Sequence, residues 1–381
     1  MWHGFVAEKE ILMASARHAV RRPCRRPEAV FFRNARRHDA GSWSSGVAYR
    51  HAFAAQGKKK RPGPRGVLAC ARKPGIGSIR RIFSMTLGAS IIIPTYRRPD
   101  PLQATLADLG RLEVVRGEVL VVDQSPVPCS EGDTLMLPNG MPVRILRRPP
   151  GVVAARNFGA AEARHDVLVF LDDDVRIADP KFVHRHLENY DDPAVDAVCG
   201  QELNGPDFAA EPPERSQFAS LYEAAEFFNR RSSERRDVAH LSTCNCSVRK
   251  SSFERVGGFD PIFTGNSYGD DTDLAIRIAQ AGMRIVFDPA ASVRHLHWQA
   301  GGLRLSDSAN AASEFDKHFS SWLVYYRHVP PRWRRWFLWH RILRRRLLLR
   351  RNVLRLHRWP AILSGIFASR AAARKLIRGA G

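Results

Sequence analysis

The sequence predicts an α/β protein: a mostly parallel sheet flanked by helices, with a basic extension ahead of it and a basic helical segment behind. Three observations predict this. From Ala89 onward, short β-branched runs alternate with helix-period segments, the pattern of strand–helix units in a parallel sheet. One run, residues 167–175, reads Val-Leu-Val-Phe-Leu-Asp-Asp-Asp-Val, an apolar strand ending in three carboxylates, and open α/β sheets carry their chemistry at such strand ends. Charge is unevenly placed: residues 1–84 hold 19 Lys/Arg against 4 acids, residues 317–381 hold 17 against none, and the stretch between holds 24 against 34.

That charge split sets the expected organisation. Residues 1–84 are rich in Arg, Ala, Gly and Pro, carry Lys58-Lys59-Lys60 and show no sustained period of a strand or helix. They read as a disordered basic extension, or as sequence ahead of a translation start at Met85. Residues 85–316 form the α/β domain and 317–381 a basic, aromatic helical segment. The net charge of +22 therefore belongs to the ends, and an acidic middle argues against a nucleic-acid groove through the core.

Within the domain, Ala-Ser-Ile-Ile-Ile-Pro from Ala89 is a buried strand. Pro99 opens a helix marked by Leu102, Leu106 and Leu109 and running to 112. A strand at 118–122 ends in Asp123, another occupies 143–146, and 152–163 is a small-residue helix leading into the strand at 167–171. A helix at 180–190 and a strand at 194–199 follow, then an amphipathic segment at 214–230. Cys244 and Cys246 alternate along a strand and so share a face, although two thiols alone make a poor zinc site. A Gly257-Gly258-Phe259-Asp260-Pro261 turn precedes a helix with an apolar stripe of Leu274, Ile278 and Ala281, ended by Gly282.

The six cysteines lack the spacing of a disulfide framework and suit a reducing compartment. No apolar run reaches the about 18 residues a membrane span requires, and the amino end lacks an apolar stretch followed by a small-residue cleavage site. The expectation is a cytoplasmic protein, soluble or peripheral on the cytoplasmic face of a membrane.

Three adjacent acids at a strand end repel one another unless a cation lies between them. A hard divalent cation bridging to phosphate oxygens resolves this, because Mg²⁺ and Mn²⁺ favour one or two carboxylates plus phosphate. A second acidic cluster, Gly-Asp-Asp-Thr-Asp from Gly269, opens the later helix. Helical spacing pairs Asp273 with Arg277 as a solvated ion pair continuing the Asp270 side. It turns Asp271 toward the protein, where a partly desolvated carboxylate can act as a general base. The alternative role for Asp271 is helix capping.

Ser-Ile-Ile-Ile-Pro-Thr-Tyr-Arg-Arg, Val-Val-Asp, Ala-Ala-Arg-Asn-Phe-Gly, Leu-Asp-Asp-Asp, Gly-Gly-Phe-Asp and Gly-Asp-Asp-Thr-Asp-Leu, in that order, resemble a family 2 glycosyltransferase over residues 89–302. The resemblance implies a GT-A fold, a nucleotide-diphosphate sugar donor, a divalent metal (Mg²⁺ or Mn²⁺) and transfer with inversion. Carried over by position, Pro94, Thr95, Arg97 and Asp123 line the nucleotide pocket, and Arg156 and Asn157 lie beside the nucleotide. Asp172 and Asp173 belong to the donor site. Asp174 is the principal metal ligand, with Asp172 and His295 near the metal, and Asp271 takes the acceptor hydroxyl's proton. His297 competes with His295 for its place. The sequence departs from the family's pattern with Gln124-Ser125-Pro126 after Asp123 and with Asp270 where Glu is commoner.

The expected activity is transfer of a sugar to a saccharide or lipid-linked acceptor in cell-surface polysaccharide or glycolipid synthesis. Two alternatives compete. A haloacid dehalogenase-like phosphatase also places Asp-x-Asp after an apolar strand, with its first Asp as nucleophile. A non-catalytic scaffold would use the basic ends to hold a membrane or nucleic acid. Trp336, Trp339, Leu343, Leu347 and Leu354 recur near helical spacing with Arg334, Arg341 and Arg345 opposite, a pattern for a helix lying on an anionic membrane surface or packed on the domain.

Overall fold

The computed structural model describes residues 87–129, 132–204, 218–264, 267–298, 300–303, 311–348, 353 and 355–379. The disorder expected of residues 1–84 lies outside them. The strands are β1 (Ala89–Thr95), β2 (Gly117–Asp123), β3 (Thr134–Met136), β4 (Pro142–Arg147), β5 (Val167–Leu171), β6 (Val175–Arg176), β7 (Val195–Asn204), β8 (Arg236–Val238), β9 (Asn245–Arg249) and β10 (Arg284–His295). Among the described residues they form one 10-stranded sheet, ordered β3-β4-β2-β1-β5-β9-β7-β10-β6, with β8 also on β10.

β1 runs parallel to β2 and β5, β2 to β4, and β7 to β10. β9 is antiparallel to both β5 and β7, which leaves those two parallel to each other. The carboxyl ends of β1, β2, β5, β7 and β10 therefore share one edge. There His295 pairs with Asn204 on one side and Val175 on the other, bringing the end of β10 beside the acids that follow β5.

Both faces of the sheet are covered, which is why its strands read as continuous apolar runs. Ile91, Ile93, Val121, Val169 and Leu171 pack on one face with α1 (Pro99–Leu109) and α3 (Phe182–Glu188). Ile92, Val122, Phe170, Cys246 and Val248 pack on the other with α2 (Val152–Glu162), α5 (Lys250–Arg255) and α6 (Asp270–Gln280). α2 is built of small residues because it lies close to the sheet: a Cβ on Gly159 would stand 2.6 Å from Cγ2 of Ile92.

Several expectations need correction. β10, a 12-residue strand, was not foreseen: Pro289 interrupts its pattern, and the register shifts between Asp288 and Ser292. The amphipathic segment expected at 214–230 contributes only α4 (Leu221–Glu226), with 214–217 outside the described residues. Cys244 and Cys246 pack on opposite faces, because β9 begins at Asn245 and Cys244 belongs to the preceding turn.

The boundary at 316/317 falls inside α7 (Ala311–Arg327), and the segment beyond it is not a separate unit. Trp322, Leu323 and Val324 of α7, Phe337 of α8 (Pro331–Phe337), and Ile362 and Ile366 of α9 (Trp359–Gly379) are buried in the cluster that holds Phe170 and Leu274. The helical stripe is also rearranged. Trp336 and Leu338 pack on that core, while Trp339 and Leu343 are exposed. Residues 338–347 form π-helical turns, whose wider period rotates side chains away from α-helical positions. Leu354 lies outside the described residues.

Candidate active site

A cavity of about 290 Å³ opens at the carboxyl edge of the sheet. Pro94, Thr95 and Tyr96 from the end of β1, Gln124 after β2, and Asp172, Asp173 and Asp174 after β5 line one part of it. Ser267, Tyr268, Asp270 and Asp271 at the start of α6 line another, with Arg156 of α2 also contributing. The two acidic clusters, about a hundred residues apart in sequence, thus face one space.

The three consecutive acids do different things. Asp173 is buried, accepting from Thr95 Oγ1 at 2.7 Å and Arg98 Nη1 at 2.9 Å. Burial pushes its carboxyl up to about 6, against the pull of Arg98 and Thr95. Asp174 accepts from the Trp298 N–H at 2.7 Å and lies 3.1 Å from Nε2 of His295. Burial raises its carboxyl, but the hydrogen bond and charge of His295 prevail and bring it down to about 2. Asp172 is the most accessible of the three, 3.8 Å from Nε2 of His295 and 3.5 Å from Nη2 of Arg156.

His295 is buried with Nδ1 3.2 Å from Glu202 of β7. Burial disfavours the imidazolium, but Asp174 and Glu202 outweigh it and raise its pKa to about 10. Glu202 also accepts from Arg230 at 2.7 Å and Ser242 at 3.1 Å. Asp172 and Asp174 line the cavity with His295 buried behind them, and two carboxylates and an imidazole so placed are a donor set that fits a divalent cation.

At α6, Gly269 with φ of 85° is the cap residue, so Asp271 is not the cap, although it accepts the Thr272 N–H at 2.7 Å. Asp271 is half-buried on the cavity wall. Asp270 is buried and accepts from Nη1 of Arg156 at 2.7 Å, and burial pushes its carboxyl upward against that positive charge. Asp273 is not the solvated pair expected. Its side chain is 1% exposed and is held by Arg277 at 2.7 Å, Arg327 at 3.2 Å and His328 at 2.8 Å, which fastens α6 to α7.

Pro94, Thr95, Arg156, Asp172, Asp173, Asp174 and Asp271 come together around the cavity, with His295 beside Asp174. Three other expected residues do not line it. Arg97 is exposed with φ of 55°, and its N–H donates to Ser125. Asp123 is buried, its oxygens taken up by Ser125 N–H, Cys129 N–H and Arg147. Asn157 bonds both ways to the backbone of Phe259, at 2.7 and 3.0 Å.

Sequence reasoning missed Arg98, which ties Asp173 to the carbonyls of Trp298 and Ala300. Nothing in the residue type separates it from Arg97. It also missed Glu202, for which a signal existed: an acid at the end of the strand that begins with an apolar run.

Residues 90–257 match the family model described as glycosyl transferase family 2. The Pre-mycofactocin glycosyltransferase of Mycobacterium tuberculosis (strain CDC 1551) is 27% identical over 214 residues, 55% of this chain and 42% of that protein. The O-antigen chain rhamnosyltransferase RfbN of Salmonella typhimurium is 24% identical over 216 residues, 55% of this chain and 66% of RfbN. Among solved structures, the mannosyltransferase PcManGT from Pyrobaculum calidifontis in complex with GDP-Man and Mn²⁺ is similar at a TM-score of 0.43 and 16% identity, over 77% of this chain and 75% of that one. The chain spans less than half the length of the mycobacterial relative.

Proposed function

We propose, on the premise that this chain is a family 2 glycosyltransferase, that it moves a sugar from a nucleotide-diphosphate donor to an acceptor hydroxyl with inversion. The observation that carries this reading is the convergence of Asp172 and Asp174 with Asp271 on one cavity at the sheet's carboxyl edge. Pro94, Thr95 and Gln124 line the side on which the nucleotide lies. A divalent cation, Mg²⁺ or Mn²⁺, held by Asp172, Asp174 and His295 would neutralise charge on the leaving diphosphate. Asp271 accepts the proton of the attacking hydroxyl as the new bond forms at the anomeric carbon and the bond to the diphosphate breaks. Arg156 holds Asp270 and Asp172 in place on the cavity wall.

A relative named for the O-antigen chain supports a saccharide or lipid-linked acceptor in cell-surface polysaccharide or glycolipid synthesis. No helix among the described residues is long and apolar enough to cross a membrane. Exposed Trp339, Leu343 and Leu348, with Arg344 and Arg355 also exposed and no acid after Asp316, support peripheral attachment to an anionic membrane surface on its cytoplasmic face. The phosphatase alternative requires its nucleophile after the first strand of the domain, whereas Asp172 follows β5.

The test is a thermal-shift screen of the full chain against UDP-, GDP- and dTDP-sugars, each with Mn²⁺ and with chelator. A stabilisation that needs the metal and favours one nucleotide class is expected. A folded sample that responds to none of them refutes the reading.

A further inference from the structure

We propose that Asp172, Cys244 and His295 form a binding site for a borderline or soft divalent cation of the Zn²⁺ and Cd²⁺ class, whose occupancy excludes the hard cation of the donor site. A carboxylate oxygen of Asp172, Sγ of Cys244 and a ring nitrogen of His295 all lie within 4.8 Å of one another. Tetrahedral zinc bonds of about 2.0–2.3 Å set ligand atoms roughly 3.3–3.8 Å apart, so side-chain adjustments of about 1 Å close the site.

The three ligands are already oriented. Cys244 is in the turn before β9, and its carbonyl accepts the Asp172 N–H at 3.4 Å, joining that turn to the end of β5. Nδ1 of His295 is anchored on Glu202 at 3.2 Å, which leaves Nε2 directed at Asp172 and Asp174. Metal-binding imidazoles are characteristically held this way, by a carboxylate on the far nitrogen. The Asp172 side chain, 27% exposed in the cavity, gives a cation its way in, while Cys244 lies beneath it.

Thiolate, imidazole and carboxylate with one open position form a zinc-type ligand set, and the sulfur discriminates against Mg²⁺. On binding, the thiol proton and the Nε2 proton pass to water as metal–sulfur and metal–nitrogen bonds form. Asp172 and His295 are shared with the donor site, so the two occupancies exclude each other. Glu202, His295 and His297 make a second trio within the same distance, but it lacks sulfur and its carboxylate is held by Arg230.

The experiment titrates the metal-free full chain with Co²⁺ as a spectroscopic stand-in. Expected are one equivalent bound, a near-ultraviolet thiolate-to-cobalt charge-transfer band, and loss of that band on adding Zn²⁺. Cys244→Ser removes the band and lowers Zn²⁺ affinity about tenfold or more, with Mn²⁺ affinity changed by less than about threefold. If Cys244→Ser does not fold by near-ultraviolet circular dichroism, Cys244→Ala takes its place. Cobalt bound without the band, a band that survives in the Cys244 variant, or equal losses for Zn²⁺ and Mn²⁺ would overturn the proposal. No sugar donor enters the measurement, so its failure is distinguishable from failure of the transferase reading.

Discussion

Nη1 of Arg156 donates to Oδ2 of Asp270 across 2.7 Å, joining α2 to the first turn of α6. The same guanidinium lies 3.5 Å from Asp172, so one buried cation links the two acidic clusters. Removing it leaves a buried carboxylate uncompensated, which costs about 3–5 kcal/mol for pairs of this kind. Arg156→Met is expected to lose that much in urea unfolding. Adding Asp270→Asn removes the stranded charge and should recover at least about 1 kcal/mol. Strictly additive losses in the double variant would show that the pair does not act as a unit.

Asp174 and Asp271 line the same cavity in different company, and their substitutions separate. Asp174→Ala is expected to abolish Mn²⁺-dependent donor binding. Asp271→Asn keeps donor binding and slows transfer about 10²–10⁴-fold, the usual contribution of a general base. Titration calorimetry with donor and a turnover assay on both variants check this; equal loss of donor affinity in the two contradicts the assignment.

Asp273 gives acid stability a specific origin. Burial raises its carboxyl, but the His328 hydrogen bond and the Arg277 charge bring it down to about 2 from 3.8. A folded value below the unfolded one means stability that is present above about pH 4 and lost as pH falls toward about 2. On the order of 2 kcal/mol is at stake. Unfolding free energies measured from pH 5 to 2 should fall more steeply in the wild-type chain than in Asp273→Asn, the two falls differing by about that amount. Parallel curves would remove Asp273 as the cause.

Gly269 has φ of 85°, and a Cβ there would stand 2.4 Å from Cγ2 of Val324 on α7. Gly269→Ala therefore meets backbone strain and a collision together, each costing about 1–3 kcal/mol. Pairing it with Val324→Ala relieves the collision and leaves the strain. Partial recovery of the melting temperature is expected; full recovery would mean that the backbone conformation carries no cost.

The strand order and the site acids differ in how far they could be read in advance. Two-sided burial makes β1, β2 and β5 unbroken apolar runs, and an acid triplet at such an end is visible without coordinates. β10 escaped because a proline and a register shift break its pattern. The C-terminal stripe misled because its residues follow π-helical turns. Arg97 and Arg98 look alike in sequence, and only the left-handed backbone at Arg97 turns one outward while the other reaches Asp173.

By itself the sequence determined the α/β class and the acids at the end of β5 and the start of α6. Both rest on local pattern: residue type, period and spacing along the chain. Tertiary structure decided which acids face the cavity, that Asp173, Asp270 and Asp273 are held by cations from distant elements, and that Cys244 and Glu202 stand beside His295. Those relations depend on how an antiparallel β9 between β5 and β7 brings separated strand ends together, and no local period encodes the distance between two strands.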